Sequence, residues 1–465
     1  MQGSRASRSV WVIAGASAVV QMAVGSLLRA PSWDEAIYLS QVTRGTAALP
    51  FVASRARGIT LLVAPLASIG APLWLVRLAL VIGSSLLAAL VFRLWVPLLG
   101  WGAPMGMVLF MGSWPALFYG SEVMPNLWAA LFAVGTLAFV ARCANSSDAR
   151  PSDLMGIGLM GAAMAVMRPP DAVVLAVAAS VVVLAMRGSV RSVVAMIVGV
   201  TVGTLPWLVE MSVRYGGPRE AIDAARTVSH AGGAFSGVAE HLRLTDGPLL
   251  GPEPGGAFPW VGVLWWVTLI GLSAWALRPA ADRRRTFGMR LAAIAGLALS
   301  AEYLFLVTGL APRFLLPALA VLSVSAGGGL QALRSQGHLG TRACVVVAII
   351  LAGWLLWQVG TFDRLEAEAG DERQVPEAVG LAIGDAVGGQ GCVVASTDDF
   401  AQVAFAADCS GRDLPDLGSA TIDQVLEAAD GSRVVVVSRG AGVTEIPGTP
   451  ISLPDAGWTA VAVTP

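Results

Sequence analysis

Residues 9–38 read SVWVIAGASAVVQMAVGSLLRAPSWDEAIY. The first twenty, Ser9 to Leu28, carry no charge. At 1.5 Å per helical residue they reach across the roughly 30 Å hydrocarbon core of a bilayer. The next ten change character at once: an Arg, a Pro, a Ser and then adjacent carboxylates, Asp34 and Glu35. Arg5 and Arg8 precede the apolar run, and no clear small-x-small cleavage site precedes Arg29-Ala30-Pro31. The stretch therefore predicts an uncleaved first helix with its N-terminus in the cytoplasm, delivering two acids to the outer membrane face.

The rest of the chain repeats the apolar theme. Of 465 residues, 55% are hydrophobic and 13% charged, against about 25% charged in an ordinary soluble domain. So little polar surface cannot cover a body of this size in water, and a net charge of −1 argues against a nucleic-acid partner, which leaves a basic face. Spanning-length segments are expected near 9–28, 73–95, 102–119, 125–142, 154–168, 171–187, 192–212, 259–277, 291–309, 314–332 and 343–360. The fold class predicted is mainly α: a polytopic helical membrane bundle of about eleven spans. The pair around Arg168-Pro169-Pro170-Asp171 reads either as a hairpin or as one kinked helix.

Orientation follows from the basic residues, all thirty of which are Arg. Alternate loops hold Arg93, then Arg142 and Arg150, then Arg187 and Arg191, then Arg278, Arg283, Arg284, Arg285 and Arg290, then Arg334 and Arg342. These loops carry few acids, so they are placed inside, with the N-terminus in and the C-terminus out. Residues 1–360 form the expected transmembrane domain, with external loops 29–72 and 213–258. Within the first loop, Gly58 to Ile69 is too short to span and reads as an interfacial helix.

Residues 361–465 differ in kind. Acidic helical pieces (Glu366–Asp385, Thr421–Ala429) alternate with β-branched runs (Cys392–Ala395, Val434–Val437), which predicts a small extracytoplasmic α/β domain whose sheet is covered on both faces. Gly388-Gly389-Gln390-Gly391 precedes a strand rather than following one, so it is no dinucleotide fingerprint. Cys392 and Cys409 both lie in this external part, where a disulfide persists; the alternative is two buried thiols. Cys143 and Cys344 sit at cytoplasmic ends. The three His (His230, His241, His338) are scattered, and no metal-ligand spacing is present.

Asp34 and Tyr38, four apart, share a helix face. A carboxylate there can take the proton of an attacking hydroxyl. Ser32 as a cap, with Asp34 and Glu35 complementing the helix dipole, is the structural alternative. Further polar groups fall at the same outer level: Arg57, Arg77, the Ser121-to-Asn126 turn with Glu122, Arg168 with Asp171, Glu210 with Arg214, Glu302 and Arg313. Charges at such depths are costly and are functional or paired.

These passages resemble the polytopic GT-C glycosyltransferases, a group that includes protein mannosyltransferases and lipid A aminoarabinose transferases. The likeness rests on Trp33-Asp34-Glu35-Ala36-x-Tyr38, Arg57-Gly58, Arg77-Leu78, the Ser121-to-Asn126 turn, Arg168-Pro169, Pro206-Trp207 with Tyr215-Gly216, and Arg313-Phe314-Leu315-Leu316-Pro317. In the last, Phe314 stands where the group commonly has Tyr. The resemblance covers about residues 9–330. It implies a multi-pass protein of the plasma membrane with an extracytoplasmic active site. There a polyprenyl-phosphate sugar donor, hexosyl or pentosyl, meets a glycan, glycolipid or protein acceptor in an inverting displacement. It also implies Asp34, with Glu35, as the catalytic carboxylates and Arg313 with Arg168 as the groups that neutralise the departing phosphate. Tyr38, Glu122, Arg57 and Glu302 are further candidates, Glu122 as a second carboxylate for the acceptor or a divalent metal. The rival classes are a multi-span transporter or flippase, which would place its site near the midplane between paired repeats, and a non-catalytic scaffold in envelope polysaccharide assembly.

Overall fold

The computed structural model describes residues 2–143, 149–228, 237–250, 258–278, 282–306, 311–335, 341–388, 391–429, 431–440, 443 and 446–463. His230, His338, the middle of the 213–258 loop and the side chain of Cys344 lie outside the described parts. The chain forms two compact units. The first takes residues 1–25, 53–58 and 79–365, the second residues 26–52, 59–78 and 366–465.

In chain order the N-terminal helices are α1 (Gln2–Val24), α2 (Trp33–Ser40), α3 (Gly58–Ala67), α4 (Leu73–Leu99), α5 (Gly102–Met111), α6 (Trp114–Phe118), α7 (Pro125–Arg142), α8 (Pro151–Met167), α9 (Pro169–Ala185) and α10 (Val190–Tyr215). Then come α11 (Pro218–Val228), α12 (Gly237–Arg243), α13 (Trp260–Ala276), α14 (Arg283–Leu306), a 3-10 turn at Pro312–Leu315, α15 (Leu316–Ser335) and α16 (Thr341–Val387). Among the described residues, seven helices are long and apolar enough to cross a membrane: α1, α4, α7, α10, α14, α15 with its 3-10 turn, and α16. Four of the eleven expected spans fall on shorter apolar helices: α5, α8, α9 and α13.

Proline marks several of these boundaries. It opens α7, α8 and α9, where its missing N–H costs nothing. The Arg168-Pro169 junction is a break between two helices, not a kink: Arg168 is extended (φ −146°, ψ 90°), the conformation a following Pro favours. The expected span 102–119 is interrupted. Helix α5 stops at Met111, and α6 restarts from extended Ser113 with Pro115 in its first turn, where an N–H donor would otherwise be needed to continue the helix. The expected boundary at 360/361 falls inside α16, whose 47 residues run on through Pro376; the Glu and Ala residues after Asp363 favour helix on either side of it.

Small residues bring the helices of the first unit close. A Cβ placed on Gly199 of α10 would lie 2.3 Å from the Gly158 carbonyl oxygen of α8, and one on Gly203 would lie 2.2 Å from that of Ala162. The outer faces are apolar. Val173, Val177, Val181 and Leu184 on α9, and Val194, Ile197, Val202, Leu205 and Val209 on α10, are all about half exposed or more. Full burial of such a side chain is worth about 1.5–3 kcal/mol, so each half-exposed one forfeits a sizeable part of that in water. The array is stable where lipid covers it, and the protein is a multi-pass membrane protein.

The second unit holds a five-stranded sheet: β1 (Cys392–Ser396), β2 (Ser410–Asp413), β3 (Arg433–Arg439), β4 (Thr449–Ile451) and β5 (Trp458–Val463), in the order β2-β1-β3-β5-β4. Strands β2, β1 and β3 are parallel; β5 runs antiparallel to β3 and β4. Helices α17 (Phe400–Ala406) and α18 (Ser419–Ala428) alternate with its strands, and α2, most of α3, the start of α4 and the end of α16 belong to the same unit. All five residues of β1 and the inner five of β3 are buried, the pattern of strands covered on both faces. Cys392 and Cys409 are joined in a disulfide.

Candidate functional site

Asp34 and Glu35 start α2, and the start is built for them. The Ser32 hydroxyl accepts from the Glu35 N–H, and the Glu35 carboxylate accepts from the Ser32 N–H, a complete capping box. Glu35 is then enclosed. Arg77 donates to both of its oxygens (Nε–Oε1 3.3 Å, Nη2–Oε2 2.7 Å), and Arg373 lies 3.5 Å from Oε2. Asp34, one residue earlier, is only half-buried. Tyr38 follows one turn later, buried, with its ring edge-on to Phe51 at 6.0 Å. Trp33 packs edge-on against Phe400 of α17 at 4.7 Å, and Gln402 donates to the Pro31 carbonyl at 3.2 Å. Helix α2 thus carries two acids in unlike settings, one locked in ion pairs and one facing partly outward.

In the first unit a second group forms around the Arg168 break. The guanidinium donates from Nε to Asp171 at 2.9 Å and from Nη2 to the Tyr303 hydroxyl, which in turn donates to the other oxygen of Asp171. Asp171 is fully buried, whereas Arg168 keeps about a fifth of its side chain exposed. The Tyr303 ring stacks on Phe314 at 5.5 Å. Arg168 lies 5.2 Å from the Phe314 ring centre and Arg313 5.1 Å from it, so one aromatic ring neighbours both arginines. Glu302 is buried next to Tyr303, its Oε2 finds no hydrogen-bond partner among the described residues, and Arg168 and Asp171 are its charged neighbours.

The remaining expected residues lie in other settings of the first unit. Arg57 grips Glu210 with Nε and Nη2 (2.7–3.1 Å), and Arg214 adds a third charge at 3.1 Å. Glu122 sits between α6 and α7 in a turn that is buried rather than open, with Ser121 and Asn126 buried beside it. Among the described residues no group of three His, Cys, Asp or Glu gathers closely enough to hold a metal ion, so the divalent ion considered for Glu122 finds no such donor set.

Sequence reasoning passed over Tyr303 and Arg373 and gave Asp171 no role. The spacing Arg168-x-x-Asp171 at a helix start was a readable signal for one pair. Tyr303 had a weaker one, as a hydroxyl inside an apolar segment beside an acid.

No protein-family model matches the sequence, and no curated protein matches it significantly. Solved structures match its fold. ArnT from Cupriavidus metallidurans bound to undecaprenyl phosphate superposes with a TM-score of 0.68 at 14% identity, over 97% of both chains. The oligosaccharyltransferase AglB from Archaeoglobus fulgidus, in complex with an inhibitory peptide and a dolichol-phosphate, gives 0.55 at 12% identity, over 93% of this chain and 69% of that one. The mycobacterial arabinofuranosyltransferase AftD gives 0.50 at 15%, over 98% and 40%. The chain has the fold of the polytopic GT-C glycosyltransferases, the group its loop acids and arginine passages resemble.

Proposed function

We propose that the protein is a membrane glycosyltransferase that moves a sugar from a polyprenyl-phosphate donor to an extracytoplasmic acceptor. The observation that carries the reading is the pair of arginines, Arg168 and Arg313, on one aromatic ring in a fold shared with a protein bound to undecaprenyl phosphate. Arg168 uses Nε and Nη2 within the protein, which leaves Nη1 for a ligand oxygen. Two guanidinium groups suit a phosphate, because each offers parallel donors to its oxygens.

In this mechanism the acceptor hydroxyl attacks the anomeric carbon while Asp34 takes its proton. The bond between that carbon and the phosphate oxygen breaks, and Arg313 with Arg168 neutralises the charge that develops on the leaving phosphate. The stereochemistry inverts because attack and departure occur on opposite faces. Glu35, held by two arginines, keeps the start of α2 in place. The setting is the plasma membrane, crossed eleven times, with the N-terminus inside and α2, the arginine pair and residues 361–465 outside.

The test is sugar transfer in proteoliposomes supplied with polyprenyl-phosphate mannose or arabinose and envelope glycan acceptors. Asp34→Ala is expected to lower kcat at least 100-fold. Arg313→Ala is expected to do so by a comparable factor, through loss of leaving-group stabilisation. Full activity in Asp34→Ala removes the base assignment, and export of label without covalent transfer favours a carrier.

A further inference from the structure

Arg77 stands in the first turns of α4, and its side chain is fully buried. A guanidinium has five N–H donors in a fixed fork. Here all five find acceptors. Nε and one Nη2 hydrogen go to the two oxygens of Glu35, at 3.3 and 2.7 Å. The other Nη2 hydrogen goes to the Ala30 carbonyl at 3.3 Å, and Nη1 serves the carbonyls of Leu27 (3.3 Å) and Arg29. Three carbonyls upstream of Asp34 and the carboxylate directly after it are therefore held by one side chain.

The second half of α16 tightens the same stretch. Glu366 accepts from the Ser26 N–H at 3.1 Å and pairs with Arg29, and Arg373 adds its charge to Glu35. A buried guanidinium with every donor used is costly to disturb, since any lost acceptor leaves a buried N–H unmet. The backbone entering α2 has little freedom left.

We infer that Arg77 is a positioning residue: through the 27–35 backbone it fixes the direction from which Asp34 meets the acceptor hydroxyl. The inference rests on the reading of Asp34 as the base. It explains why an arginine is placed at this depth in α4, because a lysine ammonium has three donors and no planar fork, and cannot serve five acceptors. Removing the fork leaves Asp34 chemically intact but loosens its aim, and a displacement near 1 Å of a reacting group costs on the order of 100-fold in rate.

The test compares the full-length wild type with Asp34→Ala, Arg77→Ala, Arg77→Lys and Glu35→Gln in proteoliposomes with a radiolabelled polyprenyl-phosphate sugar. Arg77→Lys is expected to lower kcat about 100-fold while KM for the donor stays within twofold, with Arg77→Ala lower still. Glu35→Gln keeps the acceptor for the Ser32 cap but gives up the charge that draws Arg77. It is expected to lower kcat about 10-fold, again without change in KM, and it decides the matter if the Arg77 variants do not fold. An unchanged kcat in the folded Arg77→Lys or Glu35→Gln protein, with Asp34→Ala inactive, overturns the positioning role alone. So does a loss confined to donor KM. An inactive wild type or an active Asp34→Ala instead overturns the reading of Asp34 on which the inference rests.

Discussion

At the scale of single residues, Phe314 is where sequence and structure inform each other best. It stands where the resembled pattern has Tyr, and its ring neighbours Arg168 and Arg313 while stacking on Tyr303. The hydroxyl expected at position 314 has in effect a counterpart on Tyr303, which accepts from Arg168 and donates to Asp171. Tyr303→Phe removes both hydrogen bonds but leaves the 2.9 Å contact between Arg168 and Asp171. The expected cost is about 1–3 kcal/mol in stability, from buried partners left short of one bond, read by thermal unfolding in detergent. Donor KM should rise several-fold because Arg168 loses one of its two anchors. An unchanged KM would detach the triad from donor binding. Asp34, Glu35, Arg77, Arg168, Asp171 and Arg313 could be picked out from the sequence as charges in an apolar chain. The more distant partners of Glu35 and Asp171 could not. Arg373 is 338 residues from Glu35, and Tyr303 is 132 from Asp171, separations over which periodicity carries no information.

At the scale of elements, most of the helical plan was written in the apolar runs and their prolines. Pro125, Pro151 and Pro169 open helices within a few residues of where hydropathy placed the spans. The break within 102–119 was harder to see, since Gly112-Ser113-Trp114-Pro115 is only a short dip between apolar runs, too brief to end a span-length segment. The unbroken α16 was hidden for the opposite reason: hydropathy changes at Asp363, yet the helix continues, even through Pro376. What hydropathy cannot report is closeness of approach. The crossing of α10 on α8 depends on Gly199 and Gly203, whose added Cβ atoms would strike backbone carbonyls. In lipid, where apolar faces gain little from each other, such close packing supplies much of helix association. Gly203→Leu should therefore separate the two helices and lower the midpoint of thermal unfolding in detergent by several degrees. Gly271→Leu, in α13 with nothing within 4 Å of an added Cβ, should leave it unchanged. Equal effects in the two variants would remove the close crossing as a source of stability.

At the scale of the whole molecule, sidedness decides what chemistry is available. Among the described residues, seven helices qualify as spans by length and composition. The eleven-span reading adds the shorter apolar helices α8, α9 and α13, of 17 residues each, and α5, which Ser113-Pro115 separates from α6. Either count is odd, so the proposed arrangement, with the N-terminus inside by the Arg-rich loops, puts the C-terminal part outside. The Cys392–Cys409 disulfide agrees with an external C-terminal part, because such bonds persist in oxidising compartments and are reduced in the cytosol. It closes a loop of 17 residues, which in the chain-entropy account is worth about 3 kcal/mol to the second unit. A bacterial alkaline phosphatase, which is active only outside the cytoplasm, tests the arrangement when fused after Pro465. High phosphatase activity is expected, with faster migration of the fusion on a non-reducing gel that Cys392→Ser abolishes. An intact but silent fusion with both thiols free would turn the C-terminal sheet to the cytoplasm. Each assignment of Asp34 to an external acceptor would then have to be reversed, because an odd count with the C-terminus inside carries the loop after α1 to the cytoplasmic face.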